Sequence, residues 1–129
     1  MLKKHGLIAC WSYKLFRINS EIDHEIDRFY SDTLGRYWDP ELRLVETGYR
    51  TLSFPFREIR SPRFEIKATW NLESMIGILG SWSAVANFKK REGYDPVTEI
   101  TERLRTIWGH AEQTREVSWE LSIRLGRVF

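Results

Sequence analysis

The sequence predicts an α/β domain, on three observations. The run "GLIACW", residues 6–11, is apolar throughout and has the length of a strand. Two further segments, "RFEIKATW" and "REVSWELSIRLGRVF", alternate apolar with polar residues at the strand period of two. Between these lie segments with the three- and four-residue apolar spacing of helices that cover one face of a sheet. About three strands with flanking helices, in a single domain over residues 1–129, account for the chain.

Each element has its own signals. "GLIACW" is continuous rather than alternating, the pattern of a strand covered on both faces as in a parallel sheet, although so short a run also suits a buried helical turn. "INSEIDHEIDRFYSDTLG" reads as a helix with Ser20 as its cap, Asp23 reaching back, Ile22, Ile26 and Phe29 on the apolar face, and Gly35 as a left-handed stop. In "YWDPELRLVETG" Asp39 is the expected cap, Pro40 the first helical residue and Gly48 the stop. "YRTLSFPF" should be extended or looped, because Pro55 disfavours the helical conformation at Phe54.

"RFEIKATW" places Phe64, Ile66, Ala68 and Trp70 on one face. "WNLESMIGILGSWSAVANFKKREG" then reads as one helix capped by Asn71, with Leu72, Met75, Ile76, Leu79 and Trp82 on its broad apolar side and Gly93 as its stop. Gly77, Gly80, Ser81 and Ala84 form a nearly bare strip. A glycine inside a helix costs about 1 kcal/mol against alanine, so the strip implies close approach of a neighbouring backbone or a ligand. "YDPVTEITERLRTIWG" is a last helix, opened by Asp95 and Pro96 and closed by Gly109. In the final strand Val117, Trp119, Leu121, Ile123 and Leu125 oppose Ser118, Glu120, Ser122 and Arg124, as in an antiparallel strand with one polar face.

Composition narrows the function. With 42% hydrophobic and 29% charged residues the chain can fold around a core. Twenty basic against eighteen acidic side chains give no argument for a nucleic-acid partner, and the one basic run, Lys89-Lys90-Arg91, reads as the solvated end of a helix. Cys10 is the single cysteine, which excludes an intrachain disulfide and suggests a buried thiol in a reducing, cytoplasmic setting. No apolar stretch is long enough to span a bilayer, so no membrane partner is expected.

Catalytic groupings are absent. His5, His24 and His110 lack metal-ligand spacing, Asp23 and Asp27 match an exposed polar face, and Ser12 lies in no nucleophile elbow. None of the eight glycines falls in a dinucleotide or phosphate loop pattern. The aromatic residues remain: Trp11 and Tyr13 after the first strand, then Tyr37, Trp38, Tyr49, Phe54 and Phe56, either core or a ligand wall.

The stretches "LKKHGLIACWSY", "FYSDTLGRYWDPELRLVETGYRTLSFPF", "FEIKATWNLESMIGILGSWSAVANFKKREGYDPV", "LRTIWG" and "VSWELSIRLGR" together resemble the carboxyl-terminal half of a class I, Rossmann-like S-adenosylmethionine-dependent methyltransferase. The resemblance is greatest to the branch related to trans-aconitate methyltransferases. It implies a partial Rossmann-like methyltransferase sheet, with residues 6–13, 63–70 and 115–127 as the family's fifth, sixth and antiparallel seventh strands. The family's glycine-rich cofactor loop and ribose-binding acidic residue would precede this segment. S-adenosylmethionine is therefore expected in the complete family domain, whereas this chain alone should lack cofactor-binding and catalytic residues and be inactive.

What the resemblance leaves is a substrate side, with Trp11, Tyr13, Tyr49 and Trp82 as candidate contacts to a small-molecule acceptor. Arg43 and Arg50 could meet a carboxylated acceptor or simply form surface ion pairs. Expected partners are a missing amino-terminal half or a second copy joined at an uncovered sheet edge. The alternatives are a non-catalytic binding, regulatory or oligomerising protein derived from the half-fold, and a stand-alone α/β module.

Overall fold

The computed structural model describes residues 2–129. In chain order the elements are β1 (Leu7–Tyr13), α1 (Ser20–Arg28), α2 (Leu42–Glu46), β2 (Arg57–Ile59), β3 (Phe64–Trp70), α3 (Leu72–Gly80), α4 (Ser83–Glu92), α5 (Val97–Trp108) and β4 (Arg115–Arg127). A π-helical turn at Phe29–Thr33 and a 3-10 turn at Gly35–Tyr37 follow α1. The four strands form one sheet in which β4 pairs with β1, β2 and β3. This is an α/β fold with a partial sheet flanked by helices, as the sequence predicts, with β2 as an additional strand between the segments 49–56 and 63–70.

The backbone gathers into two compact units, one of residues 2–16, 40–66 and 118–129, the other of residues 17–39 and 67–117. In unit 1, β1 runs antiparallel to β4, Leu7 opposite Arg127 through Tyr13 opposite Leu121, and β2 sets Ile59 opposite Leu125. Opposed residues project to the same side of a sheet. Ala9 and Leu125, Trp11 and Ile123, and Tyr13 and Leu121 thus share one face, while Cys10 and Arg124, and Ser12 and Ser122, share the other.

The second face is covered from within the unit. Ser12 is buried and its Oγ donates to the carbonyl of Val45, at 3.3 Å, in α2. Gly126 lies under Phe54 and Phe56, so close that a Cβ there would stand 2.6 Å from Phe54 Cε1 and 2.8 Å from Phe56 Cβ. The first face is open: Leu7, Trp11 and Tyr13 are 58%, 58% and 56% exposed. The expectation that this strand is covered on both faces and lies in a parallel sheet is therefore corrected. Its apolar run is sheltered on alternate residues only, and its one partner among the described strands is antiparallel.

The ladder also fixes which backbone groups remain. Lys14 N–H donates to Glu120 O, and Val128 N–H to Gly6 O, both at 2.9 Å, so the even-numbered residues of β1 bond toward β4. By alternation the N–H and C=O groups of Leu7, Ala9, Trp11 and Tyr13 point to the outer edge of β1.

Unit 2 is helical and holds most of the core. Ile22 and Ile26 of α1, Leu72, Met75 and Leu79 of α3, Ala84, Val85 and Phe88 of α4, and Val97, Ile100, Leu104 and Trp108 of α5 are all buried. The Trp108 indole N–H donates to Gln113 O at 2.9 Å, and Arg115 Nη2 donates to Trp108 O at 2.7 Å, tying the end of α5 to the chain that leads into β4. Asn19, one residue before the expected Ser20, caps α1 by accepting from Ile22 N–H at 2.9 Å. Asn71 caps α3 as expected, through Ser74 N–H at 2.9 Å. The short α2 begins two residues past Pro40 without a side-chain cap, so Asp39 does not play that part. Gly48, Gly93 and Gly109 have φ of +63°, +82° and +96° where stops were expected.

The long helix expected over residues 71–92 is instead two. Trp82 adopts an extended backbone (φ −66°, ψ 137°) between α3 and α4, and Ser81 Oγ donates to Ile78 O at 2.6 Å, closing the last turn of α3. Nothing lies within 4 Å of a Cβ built on Gly77 or Gly80, so close packing does not explain these glycines. Gly80 instead sits at the terminus, where its poor helix propensity favours the break.

Two measurements test this account. Gly126→Ala should lower unfolding free energy by about 1–3 kcal/mol in urea titration, since its methyl group must displace the Phe54 ring or the Phe56 backbone. In unit 2 the Tyr37 hydroxyl donates to Glu92 Oε1, and Arg36 Nη2 donates to the same oxygen at 3.2 Å. The Tyr37 hydrogen bond, ahead of the Arg36 charge, holds the Glu92 carboxyl below its ordinary value of 4.5. Its stabilising contribution is thus complete above about pH 4.5 and is lost as pH falls through the lower folded value. Glu92→Gln should flatten that acid limb of the stability profile while leaving stability above pH 6 less sensitive to pH than to the lost bond.

Candidate functional site

The site that the chain builds most completely lies within unit 1, beside the outer edge of β1. A cavity of about 440 Å³ is bordered by Ile8, Cys10 and Trp11 on β1 and by Tyr49, Phe54 and Phe56 on the segment after α2. Its volume falls in the range typical of small-molecule sites. Arg124 is the sole charged side chain among the described residues that line it.

Arg124 organises the wall. Its Nε donates to Glu58 Oε1 at 2.8 Å, and its Nη1 donates to the carbonyls of Tyr49 and Leu52, each at 2.7 Å. The guanidinium also lies 4.4 Å from the centroid of Phe54. A guanidinium with a side-chain exposure of only 17% needs such partners, and in finding them it fixes three points of the 49–58 segment against the sheet.

Tyr49 itself is strained. Its φ is +63°, a left-handed conformation that costs a bulky residue and that follows the left-handed Gly48. Bonds on both sides hold it there: its N–H donates to Leu44 O at 2.8 Å, and Arg124 engages its carbonyl. From this position its hydroxyl donates to Trp11 O at 3.4 Å, one of the outward-facing carbonyls of β1.

The structure brings together two of the four acceptor candidates. Trp11 meets Tyr49 through that carbonyl rather than ring to ring, since by alternation the indole projects on the open face. Tyr13 lies two residues further along the same face. Trp82 belongs to unit 2, where its ring centroid stands 5.5 Å from Trp38, 5.8 Å from Tyr30 and 6.1 Å from Phe29. Trp38 adds a hydrogen bond from Nε1 to Tyr30 O at 3.0 Å. Cys10, expected to be buried, is half-buried and borders the cavity. Sequence reasoning passed over Arg124; the signal available was its place on the polar face of an alternating strand, two residues before the glycine that admits Phe54 and Phe56.

A second, polar cavity of unit 1, about 750 Å³, is bordered by Lys14, Arg50, Arg63, Glu58, Glu120 and Ser122. Glu120 pairs with Lys14 at 3.3 Å and Glu58 with Arg124 at 2.8 Å. Arg50 thus faces a cavity, as a carboxylate contact would require, while Arg43 lies in α2. No cluster of three or more potential metal ligands occurs among the described residues, and no helix among them is long and apolar enough to cross a membrane.

In Rossmann-type nucleotide sites a carboxylate meets the ribose hydroxyl and a glycine-rich turn admits close backbone approach. The apolar cavity has no carboxylate, and those of the polar cavity are engaged. The lining of the apolar cavity therefore lacks the ribose-binding carboxylate of such a site.

No protein-family profile matches the chain. A Dictyostelium discoideum protein named "Putative methyltransferase" is 29% identical over 107 residues, covering 81% of this chain and 41% of the relative. The solved structure of a "Putative Type II Methyltransferase" from Anaeromyxobacter dehalogenans superposes with a TM-score of 0.91 at 42% identity, over 97% of this chain and 53% of that one. The chain thus has a methyltransferase-like fold and spans about half the length of the relatives it matches.

Replacing Arg124 by Met keeps the stem but removes the donors to Tyr49 O and Leu52 O. The expected loss is about 1–3 kcal/mol in chemical denaturation, with hydrogen exchange accelerated across residues 49–58 and unchanged in α5.

Proposed function

We propose that the chain is the carboxyl-terminal, substrate-side segment of an S-adenosylmethionine-dependent small-molecule methyltransferase, inactive by itself. The observation that supports this reading is the superposition of nearly the whole chain on about half of the "Putative Type II Methyltransferase". The trans-aconitate-related branch is the proposed affiliation. Tyr49 and the Trp11 segment border the proposed acceptor cavity, the rings of Trp11 and Tyr13 are proposed contacts on the neighbouring open face, and Trp82 is a separate candidate within its own unit. The role of these residues is to hold and orient an acceptor and keep water from it, which is where methyl transfer gains most from a protein. None serves as a base.

A second reading, a non-catalytic binding or oligomerising protein, is favoured by the outer edge of β1, where apolar side chains and outward backbone groups lie together. One experiment separates the two. The purified chain with labelled S-adenosylmethionine should methylate nothing, whereas adding a polypeptide that supplies a glycine-rich strand-turn-helix should restore transfer. Tyr49→Ala should then lower the restored rate at least tenfold. Transfer by the chain alone, or none after a stable complex forms, would overturn the proposal.

A further inference from the structure

Resting on that reading of the apolar cavity, we infer that its ligand is an uncharged, flat, largely apolar molecule rather than a carboxylate, and that strained Tyr49, positioned by Arg124, sets this preference. The lining combines aliphatic and aromatic side chains with a guanidinium that is already committed to Glu58, to two carbonyls and to the ring of Phe54. Glu58 already offsets the one positive charge at this lining, so an anionic ligand would bring an uncompensated negative charge into a largely apolar cavity. A neutral planar ligand brings no such charge and gains from the aromatic walls.

The second, independent observation is backbone strain. A tyrosine at φ +63° is disfavoured where glycine would be at ease, and here it is held by hydrogen bonds at its N–H, its carbonyl and its hydroxyl. Folding alone would be served by glycine at this position. What tyrosine adds is a ring among the cavity's lining residues and a hydroxyl that covers the Trp11 carbonyl at the outer edge of β1.

The test uses the 129-residue chain in heteronuclear NMR titrations with indole as neutral probe and tricarballylate as anionic probe. Indole should give saturable shifts at the amides of Cys10, Trp11 and Phe54, and tricarballylate should leave them in place. Tyr49→Gly should melt no lower than the wild type yet bind indole at least tenfold more weakly, a combination that a merely structural tyrosine would not produce. Cys10→Phe should fill the cavity and abolish the shifts. Saturable binding of tricarballylate at these amides, indole shifts scattered away from them, or wild-type indole affinity in Tyr49→Gly would each overturn the inference. These readouts need no methyl transfer, so their failure is distinct from failure of the methyltransferase reading.

Discussion

Unit 1 depends on one half-buried cation. Arg124 leaves the polar side of β4 and meets, within bonding distance, a carboxylate from β2, two carbonyls from the segment after α2 and an aromatic face. Desolvating a guanidinium is costly unless its donors are used. That cost makes the arrangement specific: the 49–58 segment has few other ways to meet the sheet, and it settles where it satisfies the charge. The left-handed Tyr49, the close approach of Phe54 and Phe56 over Gly126, and the cavity they border follow from that placement.

Much of the architecture was legible because it rests on local rules. The alternation of Phe64, Ile66, Ala68 and Trp70, and of the last strand, specifies a pleated surface whatever surrounds it. Asn71 and the glycines at 48, 93 and 109 mark helix ends for stereochemical reasons contained in each residue. β1 was misread because a continuous apolar run records what a strand is suited to, whereas exposure depends on what packs against each face of the sheet. The break at Trp82 was missed because apolar spacing continues across it, and periodicity does not register one residue in an extended conformation.

The site was legible in part. Tyr49 and Trp11 were candidates on aromatic character alone, and the fold joins them by a hydroxyl and a carbonyl that no sequence pattern encodes. Arg124 lies 75 positions from Tyr49 in the chain, so their bond is a product of strand register and turn geometry. The resemblance supplied what local chemistry could not, namely which larger fold these elements suit; the relatives' greater length agrees with the partial sheet.

The outer edge of β1 has a practical consequence. From Leu7 to Tyr13 the strand carries no charge and no proline, two of the devices that discourage strands of separate molecules from zipping together. An uncharged strand edge of this kind favours pairing between separate molecules. A lysine at Ala9 would guard that edge while leaving the Arg124 side of the sheet untouched.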